Sequence, residues 1–172
     1  AMGQRGTQVA QEAADMILRD DNFGSIYHAV REGRVIFSNI RKFVLYLMSC
    51  NLSELLAILI AALLAFPLPL LPLQILFLNV VTDIFPAFAL GACGGSRDIM
   101  DRPPRDPDEP IMMRAHWAEL GFYGLLISIA TIGAFVIGGR LYAGGMATRE
   151  AVTISFLTLA FAQLWNVFNV RD

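Results

Sequence analysis

Two long apolar runs, joined by Pro67, Leu68 and Pro69, fill the stretch from Phe43 to Leu90, and each carries acid and amide groups in its middle. The first holds Asn51 and Glu54; the second holds Asn79, Thr82 and Asp83. A hydrocarbon core of about 30 Å takes roughly 20 apolar residues in helical form, so each run is long enough to cross a bilayer and sets its carboxylate near the midplane. A carboxylate there is costly and generally marks an ion or substrate path. Helical spacing puts Asn51 and Glu54 on one face of the first run, and Asn79, Thr82 and Asp83 on one face of the second. The short connector predicts antiparallel neighbours. Their polar faces can then meet, and hard oxygens converging inside a bundle suit a dehydrated cation.

The rest of the pattern extends this bundle. Residues Gln8 to Asp21 are soluble in character, with a short run Met16-Ile17-Leu18 that suits a buried strand. From Asn22, read as an N-cap, a helical pattern through Phe23, Ile26, Tyr27, Val30, Val35, Ile36 and Ile40 leads without proline into the first span. As one helix it is roughly 65 Å long at about 1.5 Å per residue, half of it a stalk outside the membrane. Gly33 inside that stalk is either simply tolerated or a bend point. A third span, 117–139, is rich in Gly121, Gly124, Gly133 and Gly138, small residues that let helices approach closely, with Trp117 and Tyr123 as interface anchors. A polar turn through Arg140, Gly144, Gly145, Thr148, Arg149 and Glu150 precedes a fourth span, 151–168, on which Gln163 and Asn166 share a face. For this last pair, hydrogen bonding between helices is an equally good account.

Composition agrees with the pattern. The chain has 172 residues, 56% hydrophobic and 16% charged, with a net charge of -2, which is too apolar for an ordinary soluble domain. No basic cluster interleaved with aromatics speaks for nucleic acid. The two cysteines, Cys50 and Cys93, fit neither a disulfide framework nor a metal spacing and are read as packing residues. The chain opens Ala1-Met2-Gly3-Gln4-Arg5-Gly6 without an apolar targeting core and reads as part of a longer protein. Arg31, Arg34, Arg41 and Lys42 precede the first span and Arg97, Arg102, Arg105 and Arg114 follow the second, whereas the connector between them has no basic residue. The positive-inside rule therefore predicts a cytoplasmic amino end and a cytoplasmic 92–115 loop, stiffened by its prolines.

At the midplane, two carboxylates, amides and a hydroxyl form an oxygen-only set without imidazole or thiolate. Such a set favours calcium, or sodium if less charged, over copper or zinc. Pro86 removes the main-chain donor to the carbonyl of Thr82, which is thereby expected to be free for an ion. The competing account is polar glue between helices with one carboxyl protonated.

The run Gly6-Thr7-Gln8-Val9-Ala10-Gln11-Glu12-Ala13-Ala14-Asp15-Met16-Ile17-Leu18, then Asp20-Asp21-Asn22-Phe23 and Glu32-Gly33-Arg34, resembles the link between the phosphorylation domain and the fifth membrane helix of P-type cation ATPases. Ser49-Cys50-Asn51-Leu52-Ser53-Glu54, Leu78-Asn79-Val80-Val81-Thr82-Asp83 and Met100-Asp101-Arg102-Pro103-Pro104-Arg105 resemble that family's calcium-pump branch in order and spacing. The resemblance covers nearly the whole chain. It implies an all-α membrane protein whose four spans (43–66, 70–91, 117–139 and 151–168) are the fifth to eighth of ten. It also implies a stalk at 23–42 that transmits phosphorylation, and a remnant of the phosphorylation domain at 1–22. Asn51, Glu54, Asn79, Thr82 and Asp83 become ion ligands by the same likeness, and Gln163 falls where calcium pumps of the family carry a glutamate.

Two departures weaken the carry-over: Gln163 lacks that charge, which bears on a second calcium site, and Ile84 replaces a frequent glycine, which bears on local unwinding of the second span. The Lys-Thr-Gly-Thr context of the phosphorylated aspartate and the Gly-Asp-Gly motif do not occur, so this chain is not expected to hydrolyse ATP alone. ATP, Mg2+ and the nucleotide, actuator and phosphorylation domains are expected upstream, with the protein in the cell membrane exporting calcium. The rival expectations are a sodium or manganese pump of this type, a passive or proton-coupled carrier, and a purely structural bundle.

Overall fold

The computed structural model describes residues 1–104, 106, 109–142 and 145–171. Arg105 and Pro107 of the 92–115 loop and Gly144 of the polar turn lie outside the described residues. Helices dominate: α1 (Gln8–Glu12), α2 (Gly24–Leu63), α3 (Pro72–Leu78), a π-helical turn (Asn79–Asp83), α4 (Ile84–Gly91), α5 (Arg114–Leu141), a 3-10 turn (Gly145–Ala147) and α6 (Arg149–Arg171). Four of the segments are long and apolar enough to cross a membrane: Gly24–Leu63, Pro72–Gly91, Arg114–Leu141 and Arg149–Arg171. The chain divides into two compact units, Ala1–Ser38 with Gly94–Asp106, and Asn39–Cys93 with Pro107–Asp172. Helix α2 begins in the first and ends in the second.

In the first unit the expected strand at Met16-Ile17-Leu18 is reduced to one parallel bridge between Met2 and Leu18. Leu18 is buried, but Met16 and Ile17 are 44% and 45% exposed. So short a pair has no third strand to bury its second face. The start of α2 is fixed by side chains: Asn22 Oδ1 accepts from Gly24 N at 2.9 Å and Asp20 Oδ2 from Ser25 Oγ at 2.5 Å. The first bond satisfies a main-chain donor that a helix start leaves open, and the second pins the Ser25 side chain beside it. Helix α2 then runs unbroken through Gly33, where an added Cβ would meet no other part of the chain within 4 Å. Further along, Arg34 Nη1 donates to the carbonyls of Ile99 (2.9 Å) and Arg102 (2.8 Å), tying down the 94–106 segment. Gly95 lies against Val35, where a Cβ would come within 2.3 Å of Cγ2.

In the second unit, α2 ends as the backbone bonds Phe66 N to Ala61 O (2.9 Å) and Ala65 N to Ala62 O (3.1 Å) close around Ala65 at φ 53°. This is the Schellman arrangement, with alanine in the left-handed position that glycine usually takes. Pro72, at the first position of α3, loses no helical donor, and Gln74 Oε1 accepts from Leu71 N at 2.9 Å. Ser155 Oγ of α6 donates to Pro69 O, anchoring the connector. Asn39 Nδ2 caps the end of α4 through the carbonyls of Gly91 (3.1 Å) and Cys93 (2.8 Å), and Lys42 Nζ caps α6 at Arg171 O.

The glycines of α5 divide in two. Gly124 meets Leu52 and Gly138 meets Ala151 and Ile154, with Cβ distances of 2.9 to 3.6 Å, whereas nothing lies within 4 Å of Gly121 or Gly133. Close approach thus holds for Gly124 and Gly138 of the four expected. Gly139, seated against Met146, adds a third such contact.

One apolar cluster joins Leu45, Tyr46 and Cys50 of α2 to Leu90, Leu120 and Val170. Two others gather Leu70, Leu78, Ile127 and Leu159, and Ala57, Ala61 and Ile132. Along α2, α6 and the second span, a polar layer falls between the first cluster and the other two.

Candidate ion-binding site

The polar layer is built where α2, the π-helical turn and α6 meet. On α2, Glu54 is 5% exposed, and Asn51 donates Nδ2 to Leu47 O at 2.8 Å. The same nitrogen lies 3.5 Å from Asp83 Oδ2, the outer limit of a hydrogen bond, so the two antiparallel polar faces meet as the spacing predicts. In the second span the helix widens into a π turn over Asn79–Asp83 and does not unwind; Asp83 (φ -91°, ψ -47°) and Ile84 (φ -67°, ψ -53°) keep helical angles. A π turn is a costly local geometry that is frequent at functional sites. It carries three of the candidate ligands.

Gln163 of α6 completes the layer with both ends of its carboxamide. Its Nε2 donates to Glu54 Oε1 at 2.9 Å, and its Oε1 lies 3.0 Å from Thr82 Oγ1. The Thr82 hydroxyl also lies 2.7 Å from Leu78 O, so its single proton serves two acceptors. All six residues singled out from the sequence, Asn51, Glu54, Asn79, Thr82, Asp83 and Gln163, therefore fall in one layer, five of them joined by these contacts. Asn79 takes no part in them: its Oδ1, like Asp83 Oδ1 and Asn166 Oδ1, is buried without a hydrogen-bond partner among the described residues.

The electrostatics are one-sided. No basic side chain pairs with Glu54 or Asp83 among the described residues; the ion pairs Arg31–Glu32, Arg41–Glu109 and Arg102–Asp98 lie elsewhere. Buried carboxylates without a cation are strongly disfavoured, so the layer is complementary to a positive guest or to protons. No group of three or more His, Cys, Asp and Glu side chains suited to a metal occurs among the described residues, and the site rests on carboxylates supplemented by neutral oxygens. That donor set is one for hard cations.

One expectation changes. The Thr82 carbonyl that Pro86 leaves without its helical donor is not free: Tyr46 Oη donates to it at 2.5 Å, from a side chain with no exposed surface. Tyr46 was not among the residues that the sequence pointed to. The signal was present, since a tyrosine inside a membrane run needs a partner for its hydroxyl and a proline-freed carbonyl needs a donor. Two further polar contacts support the layer: Asn166 Nδ2 to Ser49 Oγ at 2.9 Å, and Ser128 Oγ to Ser53 O at 2.8 Å. The contacts of Gln163 and of Asn166 are both the bonding between helices expected as one account of that pair.

Comparison with known proteins places this geometry. The family model described as "Cation transporting ATPase, C-terminus" matches residues 67–172. The "Calcium-transporting ATPase" of Bacillus subtilis is 47% identical over 172 residues, covering 100% of this chain and 19% of that protein. "Calcium-transporting ATPase 1" of Bacillus cereus is 40% identical over 185 residues, covering 100% of this chain and 21% of its own length. "Calcium-transporting ATPase 4, endoplasmic reticulum-type" of Arabidopsis thaliana is 42% identical over 137 residues, covering 80% of this chain and 13% of that protein. The chain thus spans about a fifth or less of the curated relatives it matches. With its four apolar helices it is an integral, multi-pass membrane segment, and it belongs to the cation-transporting P-type ATPase family, whose carboxy-terminal membrane region it carries.

Proposed function

We propose that these helices hold the transported ion of an ATP-driven pump, that the ion is calcium, and that Asn51, Glu54, Asn79, Thr82, Asp83 and Gln163 supply its oxygens. The observation that carries the reading is the pair of buried carboxylates without a basic partner, in one layer with the unsatisfied oxygens Asp83 Oδ1 and Asn79 Oδ1. Two negative charges balance one divalent ion. Ion entry would exchange the Gln163 contacts to Glu54 and Thr82 for metal–oxygen bonds, at a cost lower than stripping water from an unprepared site. The names of the relatives support calcium over sodium or manganese.

In this reading the chain supplies the fifth to eighth helices of ten, and ATP hydrolysis, with Mg2+, resides in upstream domains of the same pump. Residues 1–22 belong to the phosphorylation domain, and 23–42 form the stalk through which phosphorylation changes the spacing of the polar faces. The amino end and the 92–115 loop face the cytoplasm, and the pump exports calcium across the cell membrane. Glu54→Gln or Asp83→Asn in the full-length pump is expected to abolish calcium-dependent phosphorylation by ATP. Undiminished calcium dependence in both variants would refute the ligand assignment. Flux driven by an ion gradient in the absence of ATP would favour a proton-coupled or passive carrier.

A further inference from the structure

We infer that Tyr46 is a positioning residue for the ion site, its hydroxyl replacing the main-chain donor that Pro86 removes from the π-helical turn. The inference rests on the functional reading above and adds a residue that neither the sequence pattern nor the ligand set includes. In a regular helix the carbonyl of Thr82 would accept from the amide of residue 86, which in proline does not exist. Thr82 is 2% exposed, so no bulk water takes that place, and a buried carbonyl left open costs about 1–3 kcal/mol. Tyr46 Oη closes it at 2.5 Å.

Tyr46 is itself held at both ends. Its ring is packed in the cluster of Leu45, Cys50, Leu90, Leu120 and Val170, and its own carbonyl accepts from Ser49 Oγ at 2.8 Å. Because Tyr46 shares α2 with Asn51 and Glu54, the bond to Thr82 sets the register between the two halves of the ligand set. It takes up one of the two lone pairs of the Thr82 carbonyl and fixes its direction. Two defects of the sequence taken separately, a helix without a donor and a membrane tyrosine without an acceptor, cancel in the fold.

This account predicts an energetic link between Tyr46 and Pro86, because restoring an amide at position 86 makes the hydroxyl redundant. The test uses the intact pump with Tyr46→Phe, Pro86→Ala and the double variant. It measures the calcium concentration for half-maximal phosphorylation and the thermal midpoint in detergent. Tyr46→Phe alone is expected to raise that concentration roughly tenfold, the ratio that about 1.4 kcal/mol represents. In the Pro86→Ala background the same change is expected to shift it less than about twofold. Equal losses in both backgrounds would assign Tyr46 to packing alone and overturn the inference, as would an unchanged calcium dependence in Tyr46→Phe. If Tyr46→Phe fails to fold, recovery of a folded pump in the double variant supports the inference, and failure to recover overturns it. A wild-type pump whose phosphorylation ignores calcium would sink the functional reading, whereas the thermal midpoints would still report on the Tyr46–Pro86 link.

Discussion

Gln163 Nε2 donates to Glu54 Oε1 across 2.9 Å, joining α6 to α2 over 109 residues of sequence. The other end of the same amide meets Thr82, so one neutral side chain bridges a carboxylate and the π-helical turn. Where a glutamate would bring a third negative charge, the amide brings a donor. It satisfies Glu54 Oε1 without adding charge to the layer.

Gln163→Leu removes that donor and leaves Glu54 Oε1 short of a partner, while the Thr82 hydroxyl keeps its bond to Leu78 O. The loss expected is about 1–3 kcal/mol of stability. Gln163→Glu is expected to destabilise the ion-free protein by charge repulsion and to enlarge the stabilisation given by calcium. Thermal unfolding in detergent, with and without calcium, checks both; a calcium response in Gln163→Glu no larger than that of the parent would count against the site.

The glycines of α5 are expected to respond with opposite signs. At Gly133 nothing lies within 4 Å of an added Cβ, so Gly133→Ala should stabilise by up to about 1 kcal/mol through helix propensity alone. At Gly139 the Cβ would lie 2.8 Å from Met146 Cα and 2.9 Å from its nitrogen, main-chain atoms that cannot swing aside. Gly139→Ala is expected to cost roughly 1–3 kcal/mol by overpacking. Denaturation in mild detergent separates the two.

Ala65 holds φ 53° at the end of α2. A left-handed alanine carries a penalty of about 1 kcal/mol that glycine does not. Ala65→Gly is therefore expected to raise the thermal midpoint, and a lowered midpoint would mean that the turn is set by contacts of the methyl group.

At the start of α2, the hydroxyl of Ser25 bonded to Asp20, followed by the amide of Asn22, holds the Asp20 carboxyl below its usual 3.8. A depressed carboxyl stabilises the fold above its unfolded value, and that contribution fades as pH falls through the lower folded one. Ser25→Ala should bring the titration of Asp20 back upward, as followed by NMR of its side chain. No upward movement would show that the main chain alone depresses it.

The spans and the polar layer were legible for one reason: lipid-length apolar runs make every embedded acid or amide conspicuous. Asn51, Glu54, Asn79, Thr82, Asp83 and Gln163 all stand out against leucine and valine, and spacing alone assigns their faces. What was not legible depends on which helices meet. Tyr46 is an ordinary aromatic in an apolar run until Thr82 is set opposite it, and Gly121 cannot be told from Gly124 until Leu52 fills one of the two places. The widening of Asn79–Asp83 into a π turn likewise follows from bonding that local propensity does not encode. The Met16-Ile17-Leu18 run misled because strand character in three residues says nothing about whether a sheet exists to receive them.

The apolar clusters on either side of the polar layer have a consequence for traffic. Leu45, Tyr46, Cys50, Leu90, Leu120 and Val170 form one plug, and Leu70, Leu78, Ile127 and Leu159 another. If the layer holds an ion as proposed, that guest would be flanked by both along the helix axes, and leaving would mean parting one set of side chains while the other stays closed. On that reading two dry doors that never open together would prevent a leak, and directionality would reduce to which door yields first.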